Sequence, residues 1–191
     1  MTLLDGLLPL LDTRSFASLW YWLALAIVWS VSTRGVLGVP PDVIARARTR
    51  AAAEGQSDPA PEALVLLDWL SLTVPRMRLS GREGAGLLGV AMFGLTVLAL
   101  LGFRYGFELP QALSLLLMPL ALLALVRLRL ARRMSALLEG ARSGAVAPAE
   151  AAATAARVLT AHRWLATGLS ILAVGVTAGW GTLWRLAHPN G

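Results

Sequence analysis

Four stretches of the chain run apolar without a charged residue: about residues 15–33, 84–103, 110–126 and 164–184. At about 1.5 Å per helical residue, each reaches roughly across a hydrocarbon core. The pattern is set by Phe16 to Thr33, FASLWYWLALAIVWSVST. Trp20, Tyr21 and Trp22 gather near its start and Trp29 near its end, where amphipathic rings suit the headgroup boundary. These stretches predict an all-α membrane protein with four transmembrane helices in a single membrane domain over residues 1–191.

Between the apolar stretches lie two long polar connections, 34–82 and 127–163, both predicted to be helical. In the first, Pro40 and Pro41 break the preceding helix and Asp42 enters the first turn of a new one. Asp42, Arg46 and Arg50 follow at spacings of four, where side chains meet along a helix. The segment QSDPAP, residues 56–61, is a turn-rich linker. After it, Pro61 to Pro75 is apolar but too short to span unaided, roughly 21 Å if helical. Its surface must be covered by the chain itself, by lipid or by a partner. Leu64, Leu67, Trp69 and Leu70 are the candidate partner-facing residues. The second connection reads as an extension of the third span to about Gly140 or Gly144. Pro148 then opens an alanine-rich helix that runs into the fourth span.

Two details modify individual helices. Residues 2–12 place Leu3, Leu4, Leu7, Leu10 and Leu11 opposite Asp5, Asp12 and Pro9, which predicts a short N-terminal interfacial helix. Pro119, inside the third span, is expected to bend it and free a carbonyl.

Charge sets the orientation. All 17 basic residues are arginine. Seven fall in each long connection, while Arg14, Arg104 and Arg185 are scattered elsewhere. The positive-inside rule then places both long connections in the cytoplasm and both termini in the periplasm of a bacterial inner membrane. Asp5 and Asp12 against Arg14 alone make the start unlike a secretory signal, so the first span is expected to be retained. The net charge of +6 is read as topology and not as nucleic-acid binding. A mean hydropathy of +0.66 and 57% hydrophobic residues fit a membrane protein, and four spans of roughly 20 residues each leave no room for a separate soluble enzyme domain.

Candidate chemistry is sparse. There is no cysteine, which excludes disulfides and thiolate metal sites. The predicted spans hold no Asp, Glu, His, Lys or Arg, the residues that mark proton relays and ion paths. No catalytic residue, metal ligand or cofactor site is predicted. His162 and His188 stand near opposite ends of one span and cannot pair. Two interaction features remain. Small residues at helix-contact spacing, Ala85 and Gly89 with Gly94 in the second span and Gly175 and Gly179 in the fourth, allow close backbone approach. Arg127, Arg129, Arg132 and Arg133, just past the third span, are placed to hold anionic lipid headgroups.

Asp12 to Phe16, Leu19 to Trp22, Val36 to Pro40 and Arg46 to Arg48 together resemble a bacterial family of small multi-spanning membrane proteins. Its members are often labelled "component of SufBCD complex". The resemblance covers mainly the first 50 residues. It implies a link to iron–sulfur assembly and carries over no functional residue. The reading from the residues themselves is a non-enzymatic accessory, structural or assembly subunit of a larger inner-membrane complex, with membrane lipids and other integral membrane proteins as partners. A small transporter or channel is the competing reading; Thr96, Gln111, Ser114, Thr167, Ser170 and Thr177 would line its path.

Overall fold

A computed structural model describes residues 15–16, 18–53, 61–77 and 80–187. The expected interfacial helix over residues 2–12 lies outside them. The described residues form six α-helices: α1 (Leu19–Arg34), α2 (Pro41–Ala53), α3 (Pro61–Thr73), α4 (Gly81–Ala99), α5 (Glu108–Arg142) and α6 (Pro148–Ala187). A 3-10 turn, Val74–Met77, extends α3, and a π-helical turn, Leu100–Arg104, extends α4. Among the described residues there is no strand, only a Val36–Val39 bridge.

Three helical segments are long and apolar enough to cross a membrane: Gly81–Arg104, Glu108–Arg142 and Pro148–Ala187. The first predicted span is realised as α1, with 16 residues. At about 1.5 Å per residue it is roughly 24 Å long, short of a hydrocarbon core of about 30 Å. It is shorter than the predicted stretch because it starts only at Leu19; it ends at Arg34, where Gly35 leads into a tight turn. Leu37 and Gly38 take φ of 54° and 77°, and Val39 N–H donates to the Val36 carbonyl at 3.0 Å. A leucine rarely accepts a positive φ. Here its side chain is fully buried, so packing holds the conformation.

The other helix boundaries have local causes. Pro41, Pro61 and Pro148 each open a helix, at the position where a missing N–H costs nothing. Ser80 caps α4 through a capping box: Glu83 N–H donates to Ser80 Oγ at 3.3 Å, and Ser80 N–H donates to the Glu83 carboxylate at 3.0 Å. Gly144, at φ 75°, ends the turn after α5. Pro119 lies inside α5, which runs unbroken from Glu108 to Arg142.

The chain divides into two units. One comprises Met1–Ser30, Ser80–Leu123 and Gly168–Gly191; the other comprises Val31–Leu79 and Ala124–Thr167. The second unit has its own hydrophobic core. Val43, Ile44 and Ala47 of α2 meet Leu66 and Leu70 of α3, Leu130, Ala131 and Met134 of α5, and Ala155, Ala156 and Leu159 of α6. Small alanines on α6 allow α5 to approach closely, and Met134, fully buried, fills the remaining space. The two long connections thus pack together.

In the first unit Phe16, Leu25 and Trp29 are buried. Phe16 lies against Gly181, where an added Cβ would come within 3.0 Å of the ring. Its backbone N–H donates to the Glu108 carboxylate at 2.6 Å. Tyr21 O–H donates to the Ala112 carbonyl at 3.1 Å, and Trp22 Nε1–H to the Phe16 carbonyl at 3.1 Å. Of the aromatic cluster, Trp20 alone faces fully outward.

Candidate functional site

In the second unit a half-buried arginine, Arg127, lies near a buried histidine, His162, close enough for its charge to act on the imidazole. The register of α5 and α6 brings them to the same level. Leu130 and Ala131 share a core with Ala155, Ala156 and Leu159. Arg127 stands about one turn before the former, and His162 about one turn after the latter. Arg127 is half-buried and donates through Nη2 to the carbonyl of Ser32. That carbonyl belongs to the last turn of α1, where the chain has no intrahelical donor to offer and a cation meets the negative end of the helix dipole. Arg127 Nε is buried with no hydrogen-bond partner among the described residues.

His162 is 5% exposed, and its Nε2 also has no partner among the described residues. It precedes the charge-free stretch that starts at Trp164. Burial, reinforced by the Arg127 charge, holds its imidazole below the usual histidine range. Neither side chain has a carboxylate partner among the described residues; the ion pair found there joins Arg46 to Asp42 on the surface of α2. Two adjacent basic groups without a counter-charge can accept an anion. The Arg127 charge disfavours a cation there, and among the described residues no three metal-ligating side chains gather.

The first unit contains a second polar feature, built on Gln111 at the start of α5. Gln111 is 1% exposed. Its Nε2 donates to the Gly102 carbonyl at 2.9 Å, and its Oε1 accepts from Trp180 Nε1 at 2.8 Å. Gly102 lies in the π-helical turn and is in close contact with Gln111. An added Cβ there would meet Gln111 N at 2.6 Å and Cα at 2.9 Å. The π turn, with Tyr105 N–H donating to the Leu100 carbonyl at 3.2 Å, carries the extra residue that brings the Gly102 carbonyl to the amide. Trp180 then packs edge-on against Phe103, with ring centroids 5.4 Å apart. The arrangement is a clamp among three helical segments. Its polar side chains, an amide and an indole, hold no titrating or nucleophilic atom.

The small-residue faces expected to pack are open among the described residues. A Cβ added at Gly89, Gly94, Gly175 or Gly179 would meet nothing within 4 Å, and Ala85 is exposed. No residue of α4 is buried. The expected partner face of α3 divides into two. Leu64 and Trp69 are 48% and 39% exposed. Leu67 packs at the edge of the core, and Leu70, fully buried at its centre, faces inward and not toward a partner. This inward set, Ala63, Leu66, Leu70 and Val74, recurs at spacings of three and four. Of the four arginines expected at headgroups, Arg129, Arg132 and Arg133 are exposed while Arg127 turns inward.

The Arg127–His162 pairing escaped the sequence reading, which considered His162 only against His188. Counting outward from the turn at Gly144 would have found it. Arg127 and His162 stand nearly equal distances before and after that turn, so an antiparallel hairpin sets them side by side.

Against protein-family profiles, curated proteins and solved structures, the chain gives no match. The resemblance of its first 50 residues to the family named above therefore rests on those residues alone.

Proposed function

We propose that this protein is a non-enzymatic accessory or assembly subunit of a larger complex in a bacterial inner membrane. The observation that carries the reading is α4. It is a membrane-length helix with no buried residue and with Gly86, Gly89 and Gly94 open along it. In lipid there is no hydrophobic drive between helices, and association depends on close packing at small residues. A glycine-bearing helix left open by its own chain is suited to a neighbouring membrane helix. The Gly175/Gly179 face of α6 repeats the pattern.

In this reading α1 is a fourth, short span, both termini are periplasmic, and the α2–α3 unit lies in the cytoplasm with its arginines near anionic headgroups. Three of the polar side chains a channel would need, Thr96, Gln111 and Thr177, are engaged instead in local bonds. Thr96 and Thr177 donate to the carbonyls of Met92 and Ala173, each at 2.8 Å.

Extraction of the native membrane into lipid discs, followed by mass spectrometry of what accompanies the tagged chain, tests the reading. A stoichiometric integral membrane partner, lost in Gly175→Leu, is the expected result. Recovery of the chain alone, together with solute flux on reconstitution, would replace it with the transporter reading.

A further inference from the structure

The Arg127–His162 pair has a chemistry that neither topology nor subunit packing uses. A guanidinium carries five N–H donors in a planar fork, suited to the oxygens of a phosphate. At Arg127 one of these is spent on the Ser32 carbonyl, which fixes the fork in place. Its Nε is buried without an acceptor. His162 Nε2, on the facing helix, is buried without a partner as well. As the Nε2–H tautomer or as imidazolium it is a second donor. Leaving buried donors uncompensated is costly, because each has given up its bond to water and gained none in return. A structural explanation through Ser32 accounts for one donor of Arg127 and for nothing at His162. The pair also stands where the charge-free stretches 110–126 and 164–184 end, and the exposed Arg129 and Arg163 follow each of its members in sequence.

We propose that Arg127 and His162 together bind a phosphate oxyanion, Arg127 through its Nε–H and His162 through its Nε2–H. The phosphate comes from an anionic phospholipid headgroup or from a dissolved phosphate, and the same two donors serve either source. The site differs from the diffuse attraction of exposed arginines, because its donors are buried and held in register by the α5–α6 packing. It does not depend on the partner assembly proposed above.

The test follows His162 by NMR in the full-length protein. His162 and His188 are the two histidines, so a His188→Gln variant assigns the signals. The imidazole is titrated in phosphatidylcholine discs, in discs that also contain phosphatidylglycerol, and in phosphatidylcholine discs with inorganic phosphate. A bound oxyanion moves the His162 midpoint upward by about one pH unit, the effect of a single opposite charge at close range. A shift with phosphatidylglycerol alone identifies the headgroup as the source, and a shift with inorganic phosphate identifies a dissolved ligand. Either supports the site. Arg127→Gln abolishes the shift and Arg132→Gln retains it. An unshifted His162 in both arms overturns the proposal, and this wild-type result decides even if Arg127→Gln does not fold. Equal loss of the shift in Arg132→Gln also overturns it, since a general surface charge would then be responsible.

Discussion

Replacing Gln111 with leucine removes two hydrogen bonds at one point while nearly preserving side-chain volume. The amide joins the Gly102 carbonyl at 2.9 Å and the Trp180 indole at 2.8 Å, from a position that is 1% exposed. The two losses are unequal. The Gly102 carbonyl still accepts from Gly106 N–H at 3.0 Å, whereas the Trp180 N–H has no second acceptor among the described hydrogen bonds. Interhelical hydrogen bonds in membranes average about 0.6 kcal/mol and reach about 1.7. Gln111→Leu should therefore destabilise the protein by about 1–2 kcal/mol. Trp180→Phe, which keeps a ring beside Phe103, should cost about 0.6 kcal/mol for the bond it loses. The double variant should show a coupling of about 0.6 kcal/mol, because the two residues share one bond. Reversible unfolding in mixed micelles of mild detergent and sodium dodecyl sulfate measures all four proteins. Additive effects, with no coupling between Gln111 and Trp180, would refute the clamp.

Three further outcomes follow from the packing. Gly102→Ala sets a Cβ against the Gln111 backbone at 2.6 Å, which neither atom can relieve by rotation, so it should cost at least 2 kcal/mol by the same assay, within the roughly 1–3 kcal/mol range for overpacking; Gly94→Ala, in open space, should be neutral or stabilising. Leu70→Ala empties the centre of the second unit's core and should cost about 2–5 kcal/mol, while Leu64→Ala on the outer face of the same helix should cost under about 1 kcal/mol, as read from thermal unfolding. His162 is held below its ordinary pKa of 6.5, so the folded state takes up fewer protons than the unfolded one as the pH falls past that value; stability in phosphate-free zwitterionic detergent should be fully present above about pH 6.5 and decline below it, and His162→Gln should flatten that decline.

The helical class was legible because apolar runs and proline positions act locally. Pro41, Pro61 and Pro148 each mark a helix start, and the charge-free runs mark the three long helices. The Ser80–Glu83 capping box could also have been read, since a serine three residues before a glutamate opens the apolar run at Gly84. Other features were set by pairing between distant residues. The turn that follows α1 depends on a left-handed Leu37, whose side chain is buried in the core that α2, α3, α5 and α6 share. The inward turn of Leu70 was hidden because α3 is apolar on all sides, so its pattern gives no direction. Gln111 reads as a polar residue near a helix end until the π turn brings Gly102 to it. The open glycine faces follow the reverse logic: their spacing was plain in the sequence, and no described residue lies against them.

The central claim is that a neighbouring protein covers α4. The chain contains no cysteine, so Ala85→Cys provides a unique attachment point beside Gly89 for a photoreactive maleimide. Irradiation in native membranes should yield a discrete adduct with a second integral membrane protein, reduced when Gly89 is also changed to leucine. Adducts with lipid alone, unaffected by Gly89→Leu, would contradict the account.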